Sequence, residues 1–187
     1  MGNLVDHIEK HLGTIECGWS VSPDGEPMGF QVVKCLPSTS DYVAYCTLGL
    51  HRFPLQPAIS GRPIRHELVL WAPATFGDQN IPAILQSVAV ETIDQERAFL
   101  RGELIGPRGR VFEGLPFTAF YVTLPVYQTD DFQEFMDEAG HAIVFVWLVP
   151  IDDREAEYVR THGWKKFEDL LEERDPHLTD FSRPSAI

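Results

Sequence analysis

Carboxylates gather at one place in this chain. In the segment "IDDREAEYV", Asp152, Asp153, Glu155 and Glu157 follow directly on the apolar run "AIVFVWLVP" at 142–150. Acidic groups at the end of a buried strand could serve as a general acid and base, provided a shared pocket pushes their pKa values apart. On that reading Glu155 would work with a nearby histidine such as His162, as in a hydrolase or a metal-dependent enzyme. The same spacing has a purely conformational use. Asp152 and Glu155 stand three apart, as in a capping box with Asp in place of Ser or Thr. Carboxylates in a first helical turn also meet the positive end of the helix dipole. Asp153 and Glu157 are four apart and repel if both are charged, while Glu157 reaches Arg160 or Thr161. Local spacing favours capping and solvation.

The other candidates carry less chemistry. His7 and His11 share one helical face, but a metalloprotease motif needs Glu directly after the first histidine, where this chain has Ile8. A distant carboxylate could complete a metal site with them; exposed helical histidines are the expected reading, and neither metal nor cofactor is expected. His66 and Glu67 open a strand, so their side chains point to opposite faces and cannot share one site. "GELIGPRGR" at 102–110 lacks the ending of a phosphate-binding loop and reads as a turn. Ser60, Ser87 and Ser182 lack a G-x-S-x-G elbow. Cys46 sits inside an apolar strand and reads as core. No catalytic residue is expected.

Leu4, Ile8 and Leu12 make one apolar stripe on a short helix ended by Gly13. "FQVVKCL" (30–36), "YVAYCTLGL" (42–50) and "HELVLWA" (66–72) read as strands, with a proline-rich loop at 51–65. Over 81–100 the period changes. Ile81, Leu85, Val88, Ala89 and Ile93 line one helical face. A glycine-rich stretch at 101–116 reads as turns with a short hairpin. "FTAFYVTLP" (117–125) and the run at 142–150, stopped by Pro150, are the clearest strands. Two helices divided near Gly163 follow. No internal repeat or linker interrupts this order. It predicts one domain over 1–187, of the α/β (α+β) class, with a central mixed, largely antiparallel sheet flanked by helices.

Composition sets the outer limits. The chain has 187 residues, 44% of them hydrophobic, with 12 Phe, 5 Tyr and 4 Trp, enough for a full core. A formal charge of -13, from 28 acidic against 15 basic residues, repels phosphate backbones, so nucleic acid is not an expected partner. A basic protein would be attracted. Cys17, Cys35 and Cys46 are odd in number and form no CxxC pair, which fits reduced thiols rather than a disulfide framework. No apolar run approaches membrane-spanning length and no signal peptide is evident, so a soluble, cytoplasmic chain without membrane association is expected.

The order of blocks resembles a known family. "YCTLGL", a proline-rich loop, "HELVL", "IPAILQSVA", "FVWLVPIDDREAEYVRTHG" and "LTDFSR" are similar, in register from about residue 30 to 185, to the Suppressor of Fused domain. The resemblance implies an α/β domain with helices packed on a mixed sheet and no enzymatic activity. It implies a protein-binding module. Single-domain versions look like bacterial immunity proteins, antitoxins that neutralise a cognate toxin. Strand addition at a sheet edge is one binding mode. Expected partner contacts are Glu155 and Glu157 at the acidic helix start and Asp180 in the following tail. Pro150 and Arg183 match the family pattern and have structural readings, as strand stop and ion-pair partner. A regulator that sequesters a cytosolic protein or transcription factor is the alternative, with the hydrolase built on residues near 152–157 behind it.

Overall fold

Asn3 begins the first helix in a computed structural model that describes residues 3–22, 24–38, 40–57 and 61–187. The Asn3 side chain accepts the Asp6 N–H while Asp6 accepts the Asn3 N–H, a reciprocal cap that satisfies two orphan donors of α1 (Leu4–Leu12). Gly13 ends it at φ +95°, where an added Cβ would lie 2.3 Å from the Leu36 carbonyl oxygen. Only glycine permits that turn and that approach.

After α1 come β1 (Thr14–Val21), β2 (Pro27–Leu36), β3 (Tyr42–Leu48), β4 (Gln56–Pro57) and β5 (Arg65–Pro73). Helix α2 (Ile81–Asp94), with Pro82 in its first turn, is followed by β6 (Arg97–Ala98), β7 (Leu104–Ile105), β8 (Ala119–Thr123) and β9 (Glu134–Met136). Strand β10 (Ala142–Ile151) leads into α3 (Asp153–His162) and α4 (Trp164–Arg174), which Gly163 separates.

These elements gather into two compact units. The first holds residues 1–99 and 124–147. Its strands run β1-β2-β3-β5-β10, antiparallel except for the β5–β10 pair, which is parallel from Arg65↔Ile143 to Val69↔Trp147. Strand β9 adds antiparallel to the start of β10. Ile8 and Leu12 of α1 are buried, as are Ile81, Leu85, Val88 and Ala89 of α2. Aromatic rings fill the middle, with Trp71 and Trp147 meeting edge-on at 5.2 Å and Phe132 lying 4.5 Å from Phe145. Such ring pairs contribute about 0.5–1.5 kcal/mol each beyond their buried area. The second unit holds residues 100–123 and 148–187. There β8 lies between β7 and the end of β10, and Phe112, Phe117 and Phe181 stack near α3. Among the described residues the fold is thus mixed α/β, with an eight-stranded, mostly antiparallel sheet and four helices.

Several expected boundaries shift. The helix starting at Ile81 ends at Asp94 rather than 100. β10 passes through Pro150 to Ile151, whose carbonyl accepts the Thr118 N–H, so Pro150 does not stop the strand. β1 covers a stretch with no expected element. Six of its eight residues are exposed, so it carries no apolar alternation. His7 and His11, expected to be exposed, pack against Phe132 at ring distances of 5.8 and 5.3 Å. Ser60 lies outside the described residues. Among the described residues no helix is long and apolar enough to cross a membrane.

Candidate functional site

The acidic junction is built by local geometry first. Asp152 adopts an extended backbone and its side chain accepts the Glu155 N–H at 2.8 Å, while Glu155 Oε2 accepts the Asp152 N–H at 3.0 Å. Both halves of the capping box are present. Long-range contacts then take over Glu155. Arg183 donates from Nη1 to Oε1 at 2.7 Å and from Nη2 to Oε2 at 3.0 Å, a two-pronged ion pair. The Ala186 N–H adds a third donor at 2.9 Å. Arg183 Nη2 also reaches the Pro150 carbonyl at 2.9 Å, and the guanidinium lies over the Phe117 ring. The two side chains are 0% and 2% exposed.

Such a pair costs desolvation that only good geometry and further hydrogen bonds offset, and both are present here. Its chemistry is therefore spent on tying Arg183 and Ala186 to the start of α3. Glu155 was expected to touch a partner, but its buried carboxylate has no surface to offer. Glu157 does: its side chain is 65% exposed and stands 3.6 Å from Arg160. Asp180 is half-buried and accepts the Ser182 hydroxyl at 2.7 Å and N–H at 2.8 Å, which hold its pKa below the usual carboxylate value.

The hydrolase arrangement does not form. His162 sits two turns beyond Glu155, about 10 Å along the helix axis at a rise of about 1.5 Å per residue. It is exposed, its ring stacked on Tyr158 and its Nδ1 beside the Thr161 hydroxyl. The thiols are all held above their ordinary pKa. Burial pushes Cys35 up to about 12 and Cys46 well above its ordinary value, and Cys17 is raised in the same direction. Among the described residues no group of three or more His, Cys, Asp or Glu could hold a metal ion.

A second polar cluster, in the first unit, escaped sequence reasoning. Glu67 is wholly buried on β5, yet its Oε1 accepts the Gly49 N–H at 2.8 Å, the His51 N–H at 3.3 Å and His51 Nδ1 at 2.6 Å. Oε2 takes the Thr47 hydroxyl at 2.5 Å, and Thr47 Oγ1 accepts the Leu68 N–H. An ionised carboxylate only accepts, so the His51 proton on that side sits on Nδ1. Neighbouring His66 points to the other face, as strand alternation demands. It is buried against Phe99, its nitrogens lack partners among the described residues, and burial lowers its pKa to about 4. Nothing local signalled the Glu67–His51 pair, because a loop and a strand bring it together from 16 residues apart.

Among the solved structures that share this fold are the following three. A protein assigned as a Suppressor of fused homologue from Neisseria gonorrhoeae FA 1090 superimposes with a TM-score of 0.76 at 23% identity, over 97% of this chain and 93% of that one. A Sufu–Fu complex gives 0.71 at 13% identity, over 98% and 90%. Drosophila Suppressor of Fused gives 0.62 at 15% identity, covering 83% of this chain and 42% of that one. No curated protein is a significant match in sequence. Residues 26–184 match the family described as Suppressor of fused protein (SUFU), and the chain belongs to that family.

Proposed function

We propose that the chain is a non-enzymatic protein-binding domain, acting as a bacterial immunity protein that binds and neutralises a cognate toxin. The observation that carries this reading is the family match over 26–184, since the SUFU family is one of protein interaction. A structure of the same fold is a Sufu–Fu complex, which supports binding to a protein surface. The loss of Glu155 to an internal ion pair, with His162 far from it, supports a role without catalysis. The net charge of -13 suits a basic partner, steering its approach and occupying a groove built for nucleic acid. Glu157 and Asp180 are the proposed contacts, with Glu155 holding the helix start beneath them. The whole of 1–187 acts as one domain in this reading.

The direct test is co-expression with the product of the adjacent gene. Complex formation in a pull-down, together with restored growth of cells expressing that product, is the expected result. Neither complex nor rescue would sink the immunity reading. The likeness to the Sufu–Fu complex also favours the alternative of a regulator that sequesters a cytosolic protein. A stable complex with a neighbour whose expression is harmless would select that alternative.

A further inference from the structure

Beside the buried Glu67 the first unit carries an open groove of about 510 Å³. That volume lies in the range of small-molecule sites, roughly 300–1,000 Å³. Leu4, Met28, Phe30 and Leu48 supply its apolar surface, and Gln31, His51 and Arg52 its working polar groups.

The charge of this lining runs against the rest of the molecule. Sixteen of the 28 acidic residues and six of the 15 basic ones belong to the first unit, so that unit carries ten of the thirteen net negative charges. Among the described residues no carboxylate lines the groove, and the one permanent charge there is the Arg52 guanidinium. Arg52 is exposed, and its side chain has neither a hydrogen-bond nor an ion-pair partner among the described residues.

The turn that carries His51 and Arg52 is also held in place before any ligand arrives. The 3-10 turn Leu50–Arg52 is pinned from behind, because Glu67 takes the Gly49 and His51 N–H groups and Arg65 Nη1 donates to the His51 carbonyl at 2.7 Å. Gly49, at φ +109°, lets that turn approach Phe30, whose Cα would lie 3.3 Å from an added Cβ. The His51 ring is fixed through Nδ1, and its Nε2 has no partner among the described residues. A buried network that fixes the backbone of the turn carrying an arginine at a cavity lowers the conformational cost of recognising an anion there. One permanent cation matches a monoanion, and the planar guanidinium matches a carboxylate.

We propose that this groove binds a small organic monocarboxylate, its carboxylate at Arg52 and its hydrocarbon or aromatic body on Met28, Phe30 and Leu48. The test titrates the ¹⁵N-labelled full chain with octanoate and phenylacetate, and in parallel with octanamide, phenylacetamide and inorganic phosphate. At least one acid should give saturable amide shifts centred on Gly29, Phe30 and Arg52, with its amide binding tenfold or more weakly. Arg52→Ala should weaken that acid by tenfold or more with the rest of the spectrum unchanged, while Arg62→Ala, outside the groove, leaves binding intact. Absence of saturable shifts with both acids, equal binding of acid and amide, or full binding by Arg52→Ala would overturn the proposal. So would phosphate binding as tightly as the acids, since the groove would then read charge alone. Capture of a short peptide through its free carboxylate, with both small acids failing, would give the groove to a polypeptide and overturn it as well.

Discussion

Glu155 and Arg183 show how a residue's type can be read correctly while its use stays hidden. The capping role of Glu155 was legible because Asp152 lies three residues away, within one turn. Its pairing with Arg183 spans 28 residues and exists only after the chain has folded. Removing one member leaves the other charge buried and unpaired, which costs about 3–5 kcal/mol in comparable sites. Arg183→Ala is therefore expected to lower the unfolding free energy obtained from urea titration by that amount, and Glu155→Gln with Arg183→Met to recover part of it. A single substitution that leaves stability within about 0.5 kcal/mol, the range of an ordinary surface change, would contradict the structural role. His66 supplies a pH dependence. Its folded-state pKa of about 4 lies below the ordinary 6.5, so the unfolded chain binds the proton more readily. Stability is full above about pH 6.5 and falls as pH drops towards 4, by about 3 kcal/mol for this one group. Burial also lowers His7 and His11, adding loss of the same sign. Urea titrations at pH 7 and pH 4 should show the wild type losing about 3 kcal/mol more than His66→Phe; equal losses would contradict the assignment.

Elements were legible where burial imposes a period. The four helices and the strands β2, β3, β5, β8 and β10 each present a continuous or periodic apolar face, and each was found near its expected place. Strand β1 was not, since its exposed residues at the sheet edge erase the pattern that marks a strand. Short pairings such as β4 with β6 arise from tertiary approach and have no signature in two residues. The junction between α1 and β1 gives a sharp test. Gly13→Ala combines a left-handed backbone with a clash against Leu36, whereas Gly25 and Gly140 have positive φ but open space around them. Left-handed backbone alone costs an alanine about 1–2 kcal/mol, the expected loss for Gly25→Ala and Gly140→Ala. Gly13→Ala should cost more than either, with thermal midpoint falling by about 2–4 °C for each kcal/mol lost. Equal losses at all three positions would show that the Leu36 contact is relaxed at little cost.

At the scale of the molecule, fold class and family could be read from the order of blocks, while the distribution of charge could not. The net charge is known from composition, but its concentration in the first unit appears only once contacts divide the chain. If an acidic surface steers a basic partner, raising salt from about 50 to 300 mM should slow association by tenfold or more and leave dissociation nearly unchanged. Glu157→Lys with Asp180→Lys should slow it severalfold at low salt. An association rate indifferent to both would remove electrostatics from the account. The proposed single domain is checked by unfolding, where tryptophan fluorescence and far-UV circular dichroism should report one coincident transition. Two separated transitions would divide the chain instead. The arginine that neutralises Glu155 has a further consequence, for the order of synthesis. During translation Glu155 emerges 28 residues before Arg183, so a ribosome-bound chain halted between them has a carboxylate that cannot yet be buried without loss. The second unit therefore has to wait for Arg183 before its helices can close, and premature termination ahead of that residue should yield an unfolded, protease-sensitive product rather than a trimmed domain.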